Sequence, residues 1–428
     1  MARSRRRKSQ SPAPVRRAGR CVAIGAKGDG VIELETGAEA FAPYAAPGDE
    51  GAFDVVGDRA AIAELSVYGP QRVDPPCPQY GRCGGCALQH MSPAFQRDWK
   101  RDRVVEALRR AGLDAPVEDT VATPAATRRR ATFAVFKSGG RTVVGFNERR
   151  SSAIVPVDGC VVLRPDFAER LPDLERLAAA VPAPAFDLVV TAADNGLDVD
   201  IRSRRLRDPD HATLRDLSTN ASEAAFARVS LNGEPLLVKE TPIVRFGTVP
   251  VAPPPGAFLQ VSAEGEAAIA EAVLRAVDGA RRVADLHAGC GTFALRLAAA
   301  GASVYAADAD KAGVDALRDA AAAARRMGSA MGEVTAEVRN LDDRPLQPDE
   351  LARFDAVVFD PPRAGAKALA EALASSSVRT VVGVSCNPAT FARDAALLTE
   401  GGYALTQVTP IDQFVYASHV ELVGVFRR

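Results

Sequence analysis

Hydrophobic and polar positions follow three different rhythms along the chain. After Arg20, short β-branched or alternating stretches are separated by Gly28-Asp29-Gly30, Thr36-Gly37, Pro47-Gly48 and Gly57-Asp58. Short strands with turn signals at this interval predict a small β-barrel. Pro93 to Leu113 then reads as a helix with Gly112 as its stop, and ATFAVF after Arg130 as an alternating strand. Residues 165–250 alternate short strands with polar loops, which predicts a central α+β domain. From Arg281 the period becomes a repeated apolar strand and alanine-rich helix, ending in two extended stretches, YALTQVTPIDQF and HVELVGVFRR. That last rhythm predicts a parallel α/β sheet finished by an antiparallel hairpin.

Charge changes the picture at one end only. The chain holds 53 basic and 54 acidic residues in 428, yet residues 1–20 carry eight Arg or Lys and no acid. A basic arm with an affinity for polyanions on a net acidic body follows. No apolar run approaches a membrane span, and a cytoplasmic location with no membrane partner is expected. Seven cysteines in such a chain point to metal binding or catalysis rather than disulfides.

Three of those cysteines, Cys77, Cys83 and Cys86, lie within ten positions among glycines, and Cys160 follows at a distance. Four thiolates suit tetrahedral zinc or an iron–sulfur cluster. The single CxxC, with one cysteine six positions before it and a distant fourth, favours a cluster. Thr127-Arg128-Arg129-Arg130 beside a strand reads equally as a phosphate grip or as a solvated charge run.

In the last region, VVGVSCNPATFARD places Cys386 at the carboxyl end of a buried strand, where Asn387-Pro388 breaks it and a helix begins. Open α/β sheets bind ligands at that end. A thiol there is either a small buried hydrophobe or an activated nucleophile. Upstream, DLHAGCG gives a strand and a glycine turn, and ASVYAAD a second strand ending in Asp308, about 23 residues after Asp285. This is a Rossmann-like nucleotide site, and the turn alone does not choose between NAD and S-adenosylmethionine.

The order of motifs does choose. FLQ (258–260), DLHAGCG (285–291), DPPRAG (360–365), SCNPATFARD (385–394) and HVE (419–421), together with the barrel and the cysteines, resemble the RNA 5-methyluridine methyltransferases from about residue 18 to the end. The resemblance implies an α/β protein: a seven-stranded Rossmann-like methyltransferase domain (251–428), an N-terminal OB-like barrel similar to the TRAM domain (18–72), a central α+β iron–sulfur domain (73–250) and a basic disordered arm (1–17). It implies S-adenosylmethionine held by Gln260, His287, Asp308 and Asp360, with Cys386 as nucleophile and Glu421 as base. It further implies a 4Fe-4S cluster on Cys77, Cys83, Cys86 and Cys160, and an RNA substrate, foremost 23S rRNA, with no obligate protein partner. Transfer RNA is the alternative substrate, and an iron–sulfur RNA-binding factor without activity is the non-enzymatic one. The arm, the barrel, the helix from Pro93 and Arg128 to Arg130 are the expected RNA surface. Two departures stand out: His287-Ala288 where the family has an aromatic and a cysteine, and QFVYAS at 413–418.

Overall fold

The computed structural model describes residues 13–428, so the first twelve residues of the expected arm lie outside it. Two compact units emerge. One takes the chain through Pro76 with Cys86–Trp99 and Tyr416–Ser418, and the other Cys77–Gly85, Lys100–Val415 and His419–Arg428.

The first unit contains a closed five-stranded barrel. Its opening strand, Val15–Ile24, pairs with both Gly30–Leu34 and Glu50–Val56, which is what closes the ring. Val15, Arg16 and Arg17, grouped with the arm in the sequence reading, already belong to this strand, where Arg16 Nε donates to Asp54 Oδ1 at 3.0 Å. Alternation places Cys21, Ile32, Ala40, Ala42 and Phe53 in the barrel core. Cys21 is therefore a packing residue.

The second unit holds two sheets. The central one orders its seven strands Glu234–Val238, Phe226–Leu231, Gly196–Arg202, Ala185–Ala193, Arg130–Ser138, Arg141–Asn147 and Ile154–Pro156. Phe133, Val135, Leu188 and Val190 alternate onto one face and pack with Leu174, Leu177 and Leu217 of the helices Leu171–Ala180 and His211–Glu223.

The other sheet runs Val334–Val338, Ser303–Asp308, Arg282–Leu286, Ala356–Phe359, Thr380–Ser385, Glu421–Arg427, Ala404–Asp412. Residues 251–428 supply these seven strands, and an eighth from outside that range, Val121–Ala122, adds in parallel to Ala404–Asp412, with Thr123 Oγ1 donating to Asp412 O at 2.6 Å. Two residues are too few for a period to register in sequence. Inner strands such as Thr380–Ser385 are buried along their whole length because helices cover both faces. Gly424 shows how closely: a Cβ there would meet Phe391 Cζ at 2.2 Å, so the helix Pro388–Glu400 lays its aromatic ring directly on the strand.

Candidate active site

Strand register builds the site. Thr380–Ser385 runs antiparallel to Glu421–Arg427 with Ser385 opposite Leu422, so the next position on each strand sets Cys386 beside Glu421. Phe359, opposite Gly383 on the neighbouring strand, brings Asp360 to the same carboxyl edge. Asn387 ends the cysteine strand by accepting from Ala389 N at 3.2 Å, which starts the helix Pro388–Glu400.

That helix in turn holds the DPPRAG loop. Asn387 Nδ2 donates to Arg363 O at 3.1 Å, Arg393 Nη2 to Ala364 O at 3.0 Å, and Ala366 N to Asp394 Oδ2 at 2.7 Å. Two motifs far apart in sequence thus form one rigid rim. Arg363 is aimed by it at the thiol and at His419 Nε2, 3.2 Å away.

A buried chain of hydrogen bonds joins the remaining groups. Gln413 Nε2 donates to Glu421 Oε2 at 2.7 Å and to Gln260 Oε1 at 2.8 Å, and Gln260 Nε2 donates to Asp360 Oδ2 at 2.9 Å. Burial pushes the Glu421 carboxyl well above the usual carboxylate range, and the Asp360 charge adds to it against the Gln413 donor and Arg363. Burial raises Asp360 too, opposed by its bond from Gln260. The Cys386 thiol is raised by burial and by Glu421, while Arg363 pulls it down. A thiol facing two carboxylates and one guanidinium is a place for moving protons. His419 is held neutral, at about 4, by burial and by the cations around it, Arg363 first.

The glycine turn lies on the same edge. Asp308 ends its strand by accepting from Gly289 N at 2.9 Å and Asp310 N at 2.8 Å, which leaves its outward lone pairs for a donor in front of the turn. No atom lies within 4 Å of where a Gly289 Cβ would stand, so the turn is open on that side. His287 takes a left-handed φ of 63° and burial lowers its pKa. Asp285, buried behind the turn, accepts from Ala294 N at 2.7 Å through Oδ2, and its Oδ1 has no partner among the described residues. Of the four expected cofactor ligands, Gln260 and Asp360 are joined by a hydrogen bond, while Asp308 accepts from the glycine turn that follows His287.

Two other expectations fare differently. Arg129 is neither a phosphate grip nor part of a solvated run: it is buried, pairs with Glu266, and donates through Nε to Gln260 O at 3.1 Å. Among the described residues no three His, Cys, Asp or Glu side chains form a group that could hold a metal ion. Gly159, next to Cys160, lies against Pro78, next to Cys77, so these two loops meet. Cys86 falls in the other compact unit. Arg363 and Asp394 were not singled out from sequence, and Gln413 was marked only as the first residue of the divergent QFVYAS segment. DPPRAG and SCNPATFARD do contain Arg363 and Asp394, and Asp394 holds the loop after DPPRAG by accepting from Ala366 N.

Comparison with known proteins agrees with this geometry. Residues 253–428 match the model of the tRNA (Uracil-5-)-methyltransferase family. An RNA methyltransferase of Rhizobium meliloti is 41% identical over 95% of this chain and 98% of its own. The 23S rRNA (uracil(1939)-C(5))-methyltransferase RlmD of Chromohalobacter salexigens is 35% identical over 87% of this chain and 80% of its own. The Pyrococcus abyssi tRNA (uracil-54, C5)-methyltransferase, solved with S-adenosyl-L-homocysteine, shares the fold at 24% identity and a TM-score of 0.73, covering 96% of this chain and 99% of that one. With its buried carboxylates, Cys386 and glycine turn on one sheet edge, the chain belongs to the tRNA (Uracil-5-)-methyltransferase family of S-adenosylmethionine-dependent RNA methyltransferases.

Proposed function

We propose that the chain methylates carbon 5 of a uridine in 23S rRNA through a covalent adduct of Cys386 at carbon 6 of the base. The observation that supports this reading best is the pairing that sets Cys386 beside Glu421, with Asp360 at the same edge. Carbon 5 of uracil is a weak nucleophile until a group adds at carbon 6. The Cys386 thiolate makes that bond, and the resulting enolate takes the methyl group through carbon 5. S-adenosylmethionine supplies the methyl as a sulfonium and leaves as the neutral thioether. Glu421 then removes the carbon 5 proton, the electron pair reforms the 5,6 double bond, and Cys386 departs as thiolate. Asp308 holds the ribose hydroxyls of the methyl donor, Gln260 and Asp360 border its reactive end, and His287 lines the turn. A relative at 35% identity named for 23S rRNA favours ribosomal over transfer RNA as substrate.

The 4Fe-4S cluster belongs to this reading as well, on Cys77, Cys83, Cys86 and Cys160. In its favour, Gly84 packs against the backbone of Asn147 and Arg149, with a would-be Cβ 2.9 Å from Asn147 O, and Gly159 lies on Pro78. The CPQYGRC loop and the loop before Cys160 are thereby drawn together. A four-iron cluster spreads its thiolates more widely than one ion does. Bound there, it would tie the loops together, since methyl transfer is redox-neutral. Iron and sulfide should co-purify under anaerobic conditions with broad visible absorption, and zinc in their place would overturn the assignment.

The reaction is tested with methyl-labelled S-adenosylmethionine and total RNA from a strain lacking the gene. Label in 5-methyluridine of large ribosomal RNA, absent with Cys386→Ala, is the expected result. Glu421→Gln should accumulate the protein–RNA adduct without turnover. Label in transfer RNA would retain the chemistry and overturn the substrate, and full activity of Glu421→Gln would remove the base.

A further inference from the structure

The central sheet has one face covered by helices and one face open. On the open face, strand alternation lines up Arg130, Thr132, Ala134 and Phe136. Cross-strand register continues the Ala134 row through Asp187 to Arg202. Beyond that strand the chain reads Arg202-Ser203-Arg204-Arg205-Leu206-Arg207, four guanidiniums in six positions, with Ser203 and Leu206 buried and every arginine exposed. The result is a groove of about 1090 Å³ lined by Phe136, Asn147, Asp187, Arg202, Arg204 and Arg205 among others. A second cavity of about 290 Å³ carries Arg207 on its wall and shares Arg202 and Arg204.

Charge is left over in this groove. Arg202 pairs with Asp200, whereas Arg204, Arg205 and Arg207 make no ion pair or hydrogen bond among the described residues. Asp187 is the one carboxylate in the lining. Phe136 is 51% exposed on the same face.

One wall of the groove, Arg202, reaches the segment that carries Gln260. A Cβ at Gly256 would stand 2.4 Å from Arg202 Nη2, and Arg130 Nη2 donates to Gly256 O at 3.4 Å while its guanidinium lies 5.9 Å from the Phe258 ring centroid. Two residues further on is Gln260, whose amide bonds Asp360. From Arg130 to Phe136 the strand rises about 20 Å, so the open face is a track with the site at one end.

We propose that this track binds a single-stranded RNA segment flanking the target uridine, with a base stacked on Phe136 and phosphates on Arg204, Arg205 and Arg207. The inference rests on the RNA-methylation reading and adds a second contact region to it. Single strands suit a stacking ring beside a basic groove, since every base has a π-face to offer. A duplex keeps its bases stacked in the helix and would offer phosphates and 2′-hydroxyls but no free base face to Phe136.

A labelled single-stranded RNA of about twelve nucleotides and a duplex of the same sequence are titrated onto the full chain at several salt concentrations. Arg204→Ala/Arg205→Ala/Arg207→Ala is compared with Arg275→Ala/Arg325→Ala/Arg326→Ala, a charge-matched change on other exposed surfaces. The groove variant should lose at least about tenfold in single-strand affinity and flatten the slope of log K against log salt by about 2, from three contacts at ~0.7 each. Phe136→Ala should weaken the single strand and leave the duplex unchanged. Equal affinity and slope in both triple variants, or tighter binding of the duplex, overturns the proposal. Because binding is read without methyl transfer, the two readings fail separately. Wild type that methylates RNA while the groove variant binds like its control sinks the track alone. Binding lost with the groove in a chain that transfers no methyl sinks the activity alone.

Discussion

The Gln413 side-chain NH2 group spends both hydrogens inside the site, one on Glu421 Oε2 at 2.7 Å and one on Gln260 Oε1 at 2.8 Å. A neutral amide therefore couples the carboxylate beside the thiol to the residue that bonds Asp360. The donor to Glu421 favours its charged form, which is the form a base needs before it accepts a proton.

Gln413→Leu removes that donor at similar volume. A hydrogen bond to a charged group contributes about 1.5–3 kcal/mol, so turnover should fall roughly 10- to 100-fold. The Glu421 carboxyl should also rise further, and adduct breakdown should then require higher pH than in wild type. A uniform loss at every pH, with no shift of the profile, would make Gln413 a packing residue only.

Adduct formation has its own pH signature. Burial and the Glu421 charge raise Cys386, and Arg363 lowers it. Thiolate is the reactive form, so the single-turnover rate of adduct formation should increase with pH through the thiol's titration. Glu421→Gln deletes a negative neighbour and should move that profile to lower pH. Arg363→Met deletes the positive one and should move it higher. Shifts in the same direction for both variants would mean that the thiol does not respond to these two charges.

What the sequence made legible was whatever is local. The strand, break and helix around Cys386 follow from fourteen consecutive residues, and the helix Pro93–Arg110 ends at Gly112, with φ 75°, as its composition requires. The hydrogen-bond chain was not legible, because Gln413 meets Gln260 across 153 positions and Gln260 meets Asp360 across 100. Arg129 misled for the same reason: its partner, Glu266, stands 137 positions away. The open face of the central sheet stayed hidden too. Alternation tells which residues share a face, but not which face a helix covers.

Arg129 and Glu266 form part of a buried triad. Glu266 is 1% exposed and also accepts from Arg296 Nη2 at 2.7 Å. Glu266→Gln would leave two guanidiniums facing each other without a counter-charge, and breaking such a pair costs about 3–5 kcal/mol. A urea midpoint lowered by that free energy divided by the m-value, with the m-value unchanged, is expected. Glu271→Gln, which breaks the exposed pair with Arg275, should change stability by less than ~0.5 kcal/mol. Equal effects would show that the triad is not buried in solution.

Asp285 gives stability a pH dependence of definite sign. Burial, together with the Asp360 and Asp308 charges and against the Ala294 N–H, raises its carboxyl to about 8. In the unfolded chain the group returns to about 4. Below that value both states bind the proton and the residue is neutral in its effect. Between the two values the unfolded state releases a proton that the folded state keeps, so stability falls as pH rises through this window. Asp285→Asn can accept the Ala294 N–H through its oxygen and does not titrate. Its melting temperature should stay near that of wild type at about pH 4 and exceed it by a margin that widens toward about pH 8. A constant difference across that range would mean that Asp285 is ionised in the folded protein, with its Oδ1 charge compensated in solution.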